Sequence, residues 1–429
     1  MTHSTKQEHS HSQSAVLGLQ HVLSMYAGSI LVPIMIAGAL GYSARELTYL
    51  ISTDIFMCGV ATFLQLKLTK HTGVGLPVVL GCAFQSVAPL SIIGAQQGSG
   101  AMFGALIASG IYVILVAGIF SKIARFFPPI VTGSVITVIG LSLVGVAMGN
   151  MGDNVKEPTA QSMMLSLLTI VIILLVQKFT KGFVKSISIL IGLVAGTLVS
   201  AMMGLVDTTP VVEASWIHVP TPFYFGMPTF EITSIVMMCI IATVSMVEST
   251  GVYLALSDLT NDQLDEKRLR NGYRSEGIAV FLGGLFNTFP YTGFSQNVGL
   301  VQISGIKTRR RRPIYYAAGI LVVIGLLPKF GAMAQMIPSP VLGGAMLVLF
   351  GMVALQGMQM LNRVDFQKNE YNFIIAAVSI SAGLGFNGTN LFASLPETAQ
   401  MFLTNGIVIA TLTSVVLNLV LNGKDKQDE

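Results

Sequence analysis

The sequence predicts an all-helical protein that crosses a lipid bilayer fourteen times, in two halves of opposite orientation. Three observations carry this reading. Of the 429 residues, 52% are hydrophobic and only 10% charged, and the mean hydropathy is +0.72. A soluble globular chain carries about 25% charged residues, so a soluble enzyme and a disordered or fibrous chain are both excluded. Apolar windows of spanning length recur along the whole chain while Lys and Arg gather in every second loop. Finally, the chain resembles itself at an offset of 210 residues.

A bilayer core needs about 20 apolar residues per helix. The candidate spans of the first half are 16–38, 46–66, 78–93, 99–121, 127–147, 161–178 and 186–205. Those of the second half are 231–257, 273–289, 291–304, 313–331, 338–356, 371–387 and 401–422. The third and tenth are too short to cross as helices and the least apolar. One holds Cys82, Gln85 and Ser86, the other Thr292, Ser295, Gln296 and Asn297. Residues 1–14 are polar, lack the apolar core of a signal peptide, and read as a disordered tail whose His3, His9 and His11 form no metal site. Cys58, Cys82 and Cys239 lie in apolar segments without CxxC spacing, which argues against a disulfide framework and against zinc.

Loop charge tests the count. With the N-terminus inside, alternate loops hold 21 of the 24 Lys and Arg, and only Arg45, Lys156 and Lys329 lie outside. A miscounted span would invert part of this alternation, so both termini are placed in the cytoplasm. The run 307–312 reads as a topology anchor rather than a nucleic-acid site. In the repeat, Phe120, Ala124, Pro128, Val131 and Gly133 recur as Phe330, Ala334, Pro338, Val341 and Gly343, and Phe84 recurs as Phe294. Seven spans separate the copies. Seven is odd, so the copies are inverted, a feature of secondary transporters whose paired short spans mark the substrate site. Extended stretches near Leu76–Leu80 and Pro290–Phe294 are expected to pair as two short strands. That would set two half-helix N-termini, with their free N–H groups, near the midplane.

Few ionisable groups lie inside the spans: His21, Asp54, Glu248 and Glu276. Each is a functional candidate, because a charge at the bilayer centre costs about 2.5–3.5 kcal/mol. Glu248 is the strongest, deep in the eighth span with Ser245 and Gly251 one turn either side. Its carboxylate suits the ring N–H groups of a heterocycle, or a proton. Glu276 begins the ninth span and reads as a proton-relay carboxylate or an interfacial charge. His21 reads as a relay or as a structural histidine, and Asp54 as a paired structural group.

The tenth span reads QNVGLVQISG from Gln296 to Gly305, and it resembles the signature of the nucleobase–ascorbate transporter family, with Ser304 at the usual Thr position. LQH at 19–21, LGCAF at 80–84 and VESTG at 247–251 match further landmarks of that family. The resemblance implies core and gate domains. The core would take residues 15–121 and 211–331 (spans 1–4 and 8–11), and the gate 122–210 and 332–422 (spans 5–7 and 12–14), with a short cytoplasmic tail at 423–429. It implies that Glu248 and Gln296 bind the substrate, with Phe84, Ser295 and Gly28 beside it, and that Glu276, His21 and Asn297 support the site or proton coupling. Gln at 296 resembles the xanthine and urate transporters more than the uracil ones. Some members carry His or Asp four residues after the binding glutamate, where this chain has Val252.

The expectation is therefore a proton-coupled purine symporter of the plasma membrane, most similar to bacterial xanthine permeases, with no cofactor, no metal and no nucleic-acid partner, and homodimeric by resemblance. Phe84 and Phe294 offer packing faces for a flat base. The opening segments of spans 5 and 12, Pro128–Gly133 and Pro338–Gly343, read as small-residue sliding contacts. An anion carrier is disfavoured by the buried glutamate, a channel by the inverted repeat, and an intramembrane enzyme by the lack of HExxH, Gly-x-Ser-x-Gly or paired aspartates.

Overall fold

The computed structural model describes residues 10–123, 128–153, 158–306, 311–367, 369–387 and 389–422. The anchor residues 307–310, most of the N-terminal tail and the 423–429 tail lie outside the described residues. In chain order the helices are α1 (His11–Leu40), α2 (Ala44–Leu66), α3 (Val87–Ile123), α4 (Pro129–Met151), α5 (Ala160–Phe179), α6 (Gly182–Ser186), α7 (Ser188–Met202) and α8 (Thr209–Glu213). They continue as α9 (Ile232–Thr260), α10 (Glu266–Leu285), α11 (Gln296–Ser304), α12 (Arg312–Gly325), α13 (Pro328–Gln335), α14 (Ser339–Leu361), α15 (Glu370–Gly385), α16 (Glu397–Leu403) and α17 (Gly406–Asn422). Two strands, β1 (Leu80–Cys82) and β2 (Tyr291–Gly293), precede α3 and α11. Among the described residues seven helices are long and apolar enough to cross a membrane, and an eighth span arises if α12 and α13 are taken together.

Local chemistry sets several boundaries that hydropathy alone misplaces. Helix α1 begins at His11, inside the segment expected to be disordered. A capping box explains it: Ser10 N–H donates to Gln13 Oε1 (3.1 Å) and Gln13 N–H to Ser10 Oγ (3.2 Å). Helix α3 is two helices joined across a kink at Gly98, whose φ of 84° and ψ of 171° are not helical, so the third and fourth spans meet at that break. The eleventh span is not one rod. It bends by 78° between α12 and α13, just before Pro328, which cannot supply the N–H that would continue the ladder.

The strands pair antiparallel, with Leu80 opposite Gly293, Gly81 opposite Thr292 and Cys82 opposite Tyr291. Bonds from Phe294 N–H to Val79 O (2.9 Å) and from Ala83 N–H to Pro290 O (3.0 Å) close the ladder at both ends. Strand β2 lies where the sequence places it. Strand β1 lies further along than expected, because Leu76–Val78 close a tight turn (Val78 N–H to Leu76 O, 2.8 Å) around Pro77.

Helix packing sorts into pairs that exchange under a shift of one half onto the other. α2 packs on α12 as α10 packs on α3, α1 on α12 as α9 on α3, and α5 on α14 as α15 on α4, while α4 and α14 pack on each other. Loop contacts fall into two groups. His11 meets Tyr316 (2.8 Å), and Arg311 meets Gly75 O (2.6 Å). Elsewhere Gln335 reaches Ala44 O (3.0 Å), Thr229 N–H reaches Gly100 O (3.0 Å), and Lys329 reaches Val211 O and Val212 O (2.5 and 3.1 Å). Each group joins loops assigned to the same side by the charge alternation.

Candidate functional site

The strand pair is where both broken spans begin, so helix starts that would otherwise sit at the protein surface are brought to its middle. The chain enters α3 through a 3-10 turn, Phe84–Ser86, and enters α11 at Ser295, which has no side-chain cap. Among the described residues the amides of Phe84, Gln85, Ser295 and Gln296 have no backbone acceptor. Two helix N-termini therefore present N–H donors and positive partial charge beside one another.

Glu248 faces this junction from α9. Gln85 Nε2 donates to its Oε2 (2.9 Å) and to Ser245 Oγ (2.9 Å), and the Thr292 hydroxyl of β2 donates to the same carboxylate oxygen (3.4 Å). One oxygen is thus held by the protein, and the other is left for a ligand. An apolar cleft of about 200 Å³, lined by Val244 and Val247 of α9, Val135 of α4 and Leu412 of α17, runs up to Glu248. Such a site offers an acceptor and several donors at the end of an apolar slot, which suits a flat molecule with N–H and carbonyl groups on one edge.

Gln296 opens α11 on the same junction, half-buried, with its Oε1 accepting from Ser295 Oγ (3.3 Å). Ser295 Oγ also donates to Gln356 Oε1 of α14 (3.0 Å). Phe84 is 8% exposed and stands edge-on to Phe350 of α14, ring centroids 5.5 Å apart. Phe294 corrects an expectation: its ring is not free to cover a base. It fills the space left by two glycines, where a Cβ at Gly28 or at Gly81 would lie 2.6 Å from its ring atoms. Gly28 thus packs on Phe294, the residue before Ser295.

Glu276 lies behind Glu248 and is 2% exposed. Tyr253 donates to it, and Gln65 Nε2 donates to the Tyr253 hydroxyl (2.8 Å). Ser249 Oγ is 2.8 Å from Thr292 Oγ1, so two hydroxyls lead from Glu248 back along α9. His21 is buried, and neither ring nitrogen has a partner among the described residues; Asn297 Nδ2 instead donates to its backbone carbonyl (3.3 Å). Val252 lies against Gly293, where its methyl comes 3.0 Å from the position of a Cβ, so it seals β2. Asp54 is fully buried at the strand crossing, accepting from Cys82 Sγ (3.0 Å) and Tyr291 Oη (3.1 Å), which are partners in the strand register.

The sequence reading missed Gln85, Ser249, Thr292 and Gln356 as parts of this site. The signal for Gln85 and Thr292 was their polarity within the two least apolar spans. Ser249 and Gln356 carry no signal of their own, because hydroxyls and amides occur on many helix faces. In the segments Pro128–Gly133 and Pro338–Gly343 the glycines face the α4–α14 contact, while Val131 and Thr132 of the first segment line the cleft at Glu248. A Cβ at Gly133 would lie 2.8 Å from Leu361 of α14, and one at Gly343 only 2.3 Å from the Met151 nitrogen of α4.

Residues 12–390 match the model of the Permease family called Xan_ur_permease. The chain is 51% identical over 423 residues to the uric acid permease PucK of Bacillus subtilis strain 168, covering 98% of each. It is 50% identical over 412 residues to the xanthine permease of the same organism, covering 95% of this chain and 93% of the relative. In fold it is similar to the transmembrane domain of the cyanobacterial bicarbonate transporter BicA, with a TM-score of 0.60 at 14% identity, over 95% of this chain and 98% of that one.

Proposed function

The chain belongs to this permease family, the nucleobase–ascorbate transporters, and on that premise we propose that it imports xanthine together with protons across the plasma membrane. It is a membrane transport protein of the purine permease type and not an enzyme. The observation that carries the substrate reading is the Glu248 carboxylate, held on one side by Gln85 and facing two uncapped helix starts. Xanthine carries ring N–H groups beside carbonyls. Glu248 accepts from the former, while the Gln296 amide and the free backbone N–H groups of the helix starts serve the latter.

Proton coupling is supported by two intramembrane carboxylates, Glu248 and Glu276, with the Thr292 and Ser249 hydroxyls leading from the first along α9, an arrangement that needs no ionisable side chain at Val252. The helix pairing supports a seven-plus-seven inverted repeat of fourteen spans, with residues 15–121 and 211–331 moving as a core against a gate of 122–210 and 332–422. The loop groups and the charge alternation support cytoplasmic termini. A homodimer is the expected assembly.

Urate is the second reading, favoured by the 51% identity to a uric acid permease. Urate is an anion at neutral pH, and a carboxylate at the site disfavours it unless a proton enters with it. Uptake of labelled xanthine in competition with urate, guanine, hypoxanthine and uracil tests the proposal. Xanthine competing best supports it, and urate competing at least tenfold better than xanthine replaces it by the second reading.

A further inference from the structure

We propose that this protein holds an anionic phospholipid in a groove between α3 and α10, at the end of the pair that carries Lys122, Arg270 and Arg274. The two helices run antiparallel, and their seam opens toward that end. A Cβ at Gly284 would lie 2.6 Å from Ile107, and one at Gly277 would lie 2.8 Å from Ile114. At Gly118 a Cβ would meet only Arg270 Cδ, at 3.6 Å. Close packing thus gives way to a notch at Gly118, with the stem of an arginine along one wall.

Three cations border the notch. Arg270 and Arg274 stand one turn apart on α10, and Lys122 follows Gly118 by one turn on α3. Lys122 is exposed and both arginines are half-buried. None of the three makes an ion pair or a hydrogen bond among the described residues. The acids at the start of α10 do not neutralise them. Asp262 pairs with Arg268 (2.8 Å), Asp265 caps the helix by accepting from Arg268 N–H (2.7 Å), and the exposed Glu266 pairs with neither arginine. Nε of Arg270 is buried, but its terminal nitrogens are accessible.

The surface beside the notch is apolar. Arg274 falls inside the ninth span as hydropathy draws it, 273–289. On α3, Ile111, Leu115 and Ile119 are 44%, 73% and 67% exposed. They recur every fourth residue, so they form one stripe, and that stripe ends at Lys122. An arginine at the edge of the hydrocarbon is costly without a counter-ion, and the fold supplies none. A lipid phosphate does: the guanidinium fork takes two of its oxygens in parallel N–H···O bonds. An acyl chain of the same molecule then lies along Ile119, Leu115 and Ile111. The stripe separates a lipid from a free anion, which has use for the charged end alone. The charge alternation puts this end of the helices at the cytoplasmic leaflet, where basic pockets between helices meet anionic headgroups. The site goes beyond purine import, since neither Glu248 nor a base takes part in it.

The test is native mass spectrometry of the purified full chain in detergent, titrated with phosphatidylglycerol or with phosphatidylcholine of the same acyl chains. Phosphatidylglycerol should bind at least tenfold more tightly. Arg270→Gln with Arg274→Gln should abolish that preference. Gly118→Leu, which keeps every charge and fills the notch, should weaken phosphatidylglycerol at least fivefold. Lys122→Gln, at an exposed position, should weaken it severalfold by itself. Lys178→Gln with Lys181→Gln and Lys185→Gln removes three cations from another loop of the same side and should leave the preference unchanged. A cooperative melting transition in detergent shows that each variant is folded. Equal binding of the two lipids overturns the site, and so does a preference lost to the same extent in the Lys178 variant, because bulk charge then accounts for it. Displacement of the lipid by millimolar inorganic phosphate assigns the cations to a free anion and overturns the lipid.

Discussion

Gln85→Leu is the most informative single change. The side chain is 1% exposed and its amide holds both Glu248 and Ser245 at 2.9 Å. Leucine keeps most of the volume and removes both bonds. A hydrogen bond to a charged group is worth about 1.5–3 kcal/mol, and about 1.4 kcal/mol is a factor of ten in affinity. A carboxylate that has lost its positioning donor should therefore bind xanthine at least about tenfold more weakly. Two readouts separate positioning from collapse. The melting temperature in detergent reports the fold, and equilibrium binding reports the site. A cycle with Glu248→Ala adds the decisive comparison, because residues that act through one another are not additive. Glu248→Ala should abolish binding, and adding Gln85→Leu should make it no worse. Wild-type affinity in Gln85→Leu, or a penalty of the same size in the presence and absence of Glu248, would refute the assignment of Gln85 as the residue that aims the carboxylate.

On the proposed coupling to an inward proton gradient, uptake should rise as external pH falls, collapse with a protonophore and ignore sodium; uptake that needs sodium and survives the protonophore removes the coupling scheme. Ser249→Ala with Thr292→Val removes the hydroxyls that lead from Glu248 along α9, so on the proposed coupling pH-driven accumulation should be lost while counterflow of xanthine in liposomes persists. Gly343→Leu should lower the melting temperature more than Gly133→Leu, since a Cβ at Gly343 meets the Met151 nitrogen at 2.3 Å whereas one at Gly133 meets the nearest backbone atom, Gly357 O, at 2.9 Å and a Leu361 side chain that can turn aside; overpacking typically costs about 1–3 kcal/mol. Asp54→Leu should lower the melting temperature, with weaker xanthine binding following from it, because Cys82 and Tyr291 lose the acceptor that ties the strand pair to α2; an unchanged melting temperature would show that the pairing holds without it.

By itself the sequence determines the solvent of this protein and much of its outline. Hydropathy marks which segments are apolar enough for lipid and the alternation of Lys and Arg predicts the side of each loop, because transfer and insertion energies act on local stretches. An offset match at Phe120–Gly133 and Phe330–Gly343 is visible for the same reason: it compares the chain with itself, position by position. Glu248 stands out because an intramembrane carboxylate is costly wherever the chain later folds. Only the tertiary structure decides what that carboxylate touches. Gln85 meets it across 163 positions of chain and Thr292 across 44, through an antiparallel strand crossing whose register depends on a turn at Pro77. It also decides that Phe294 packs over Gly28 and Gly81, and that Gly133 and Gly343 serve the α4–α14 contact. Glycine, serine and glutamine recur through the spans with no pattern that marks a partner. Their roles come from close approach and hydrogen-bond geometry, which exist only once distant segments are placed together.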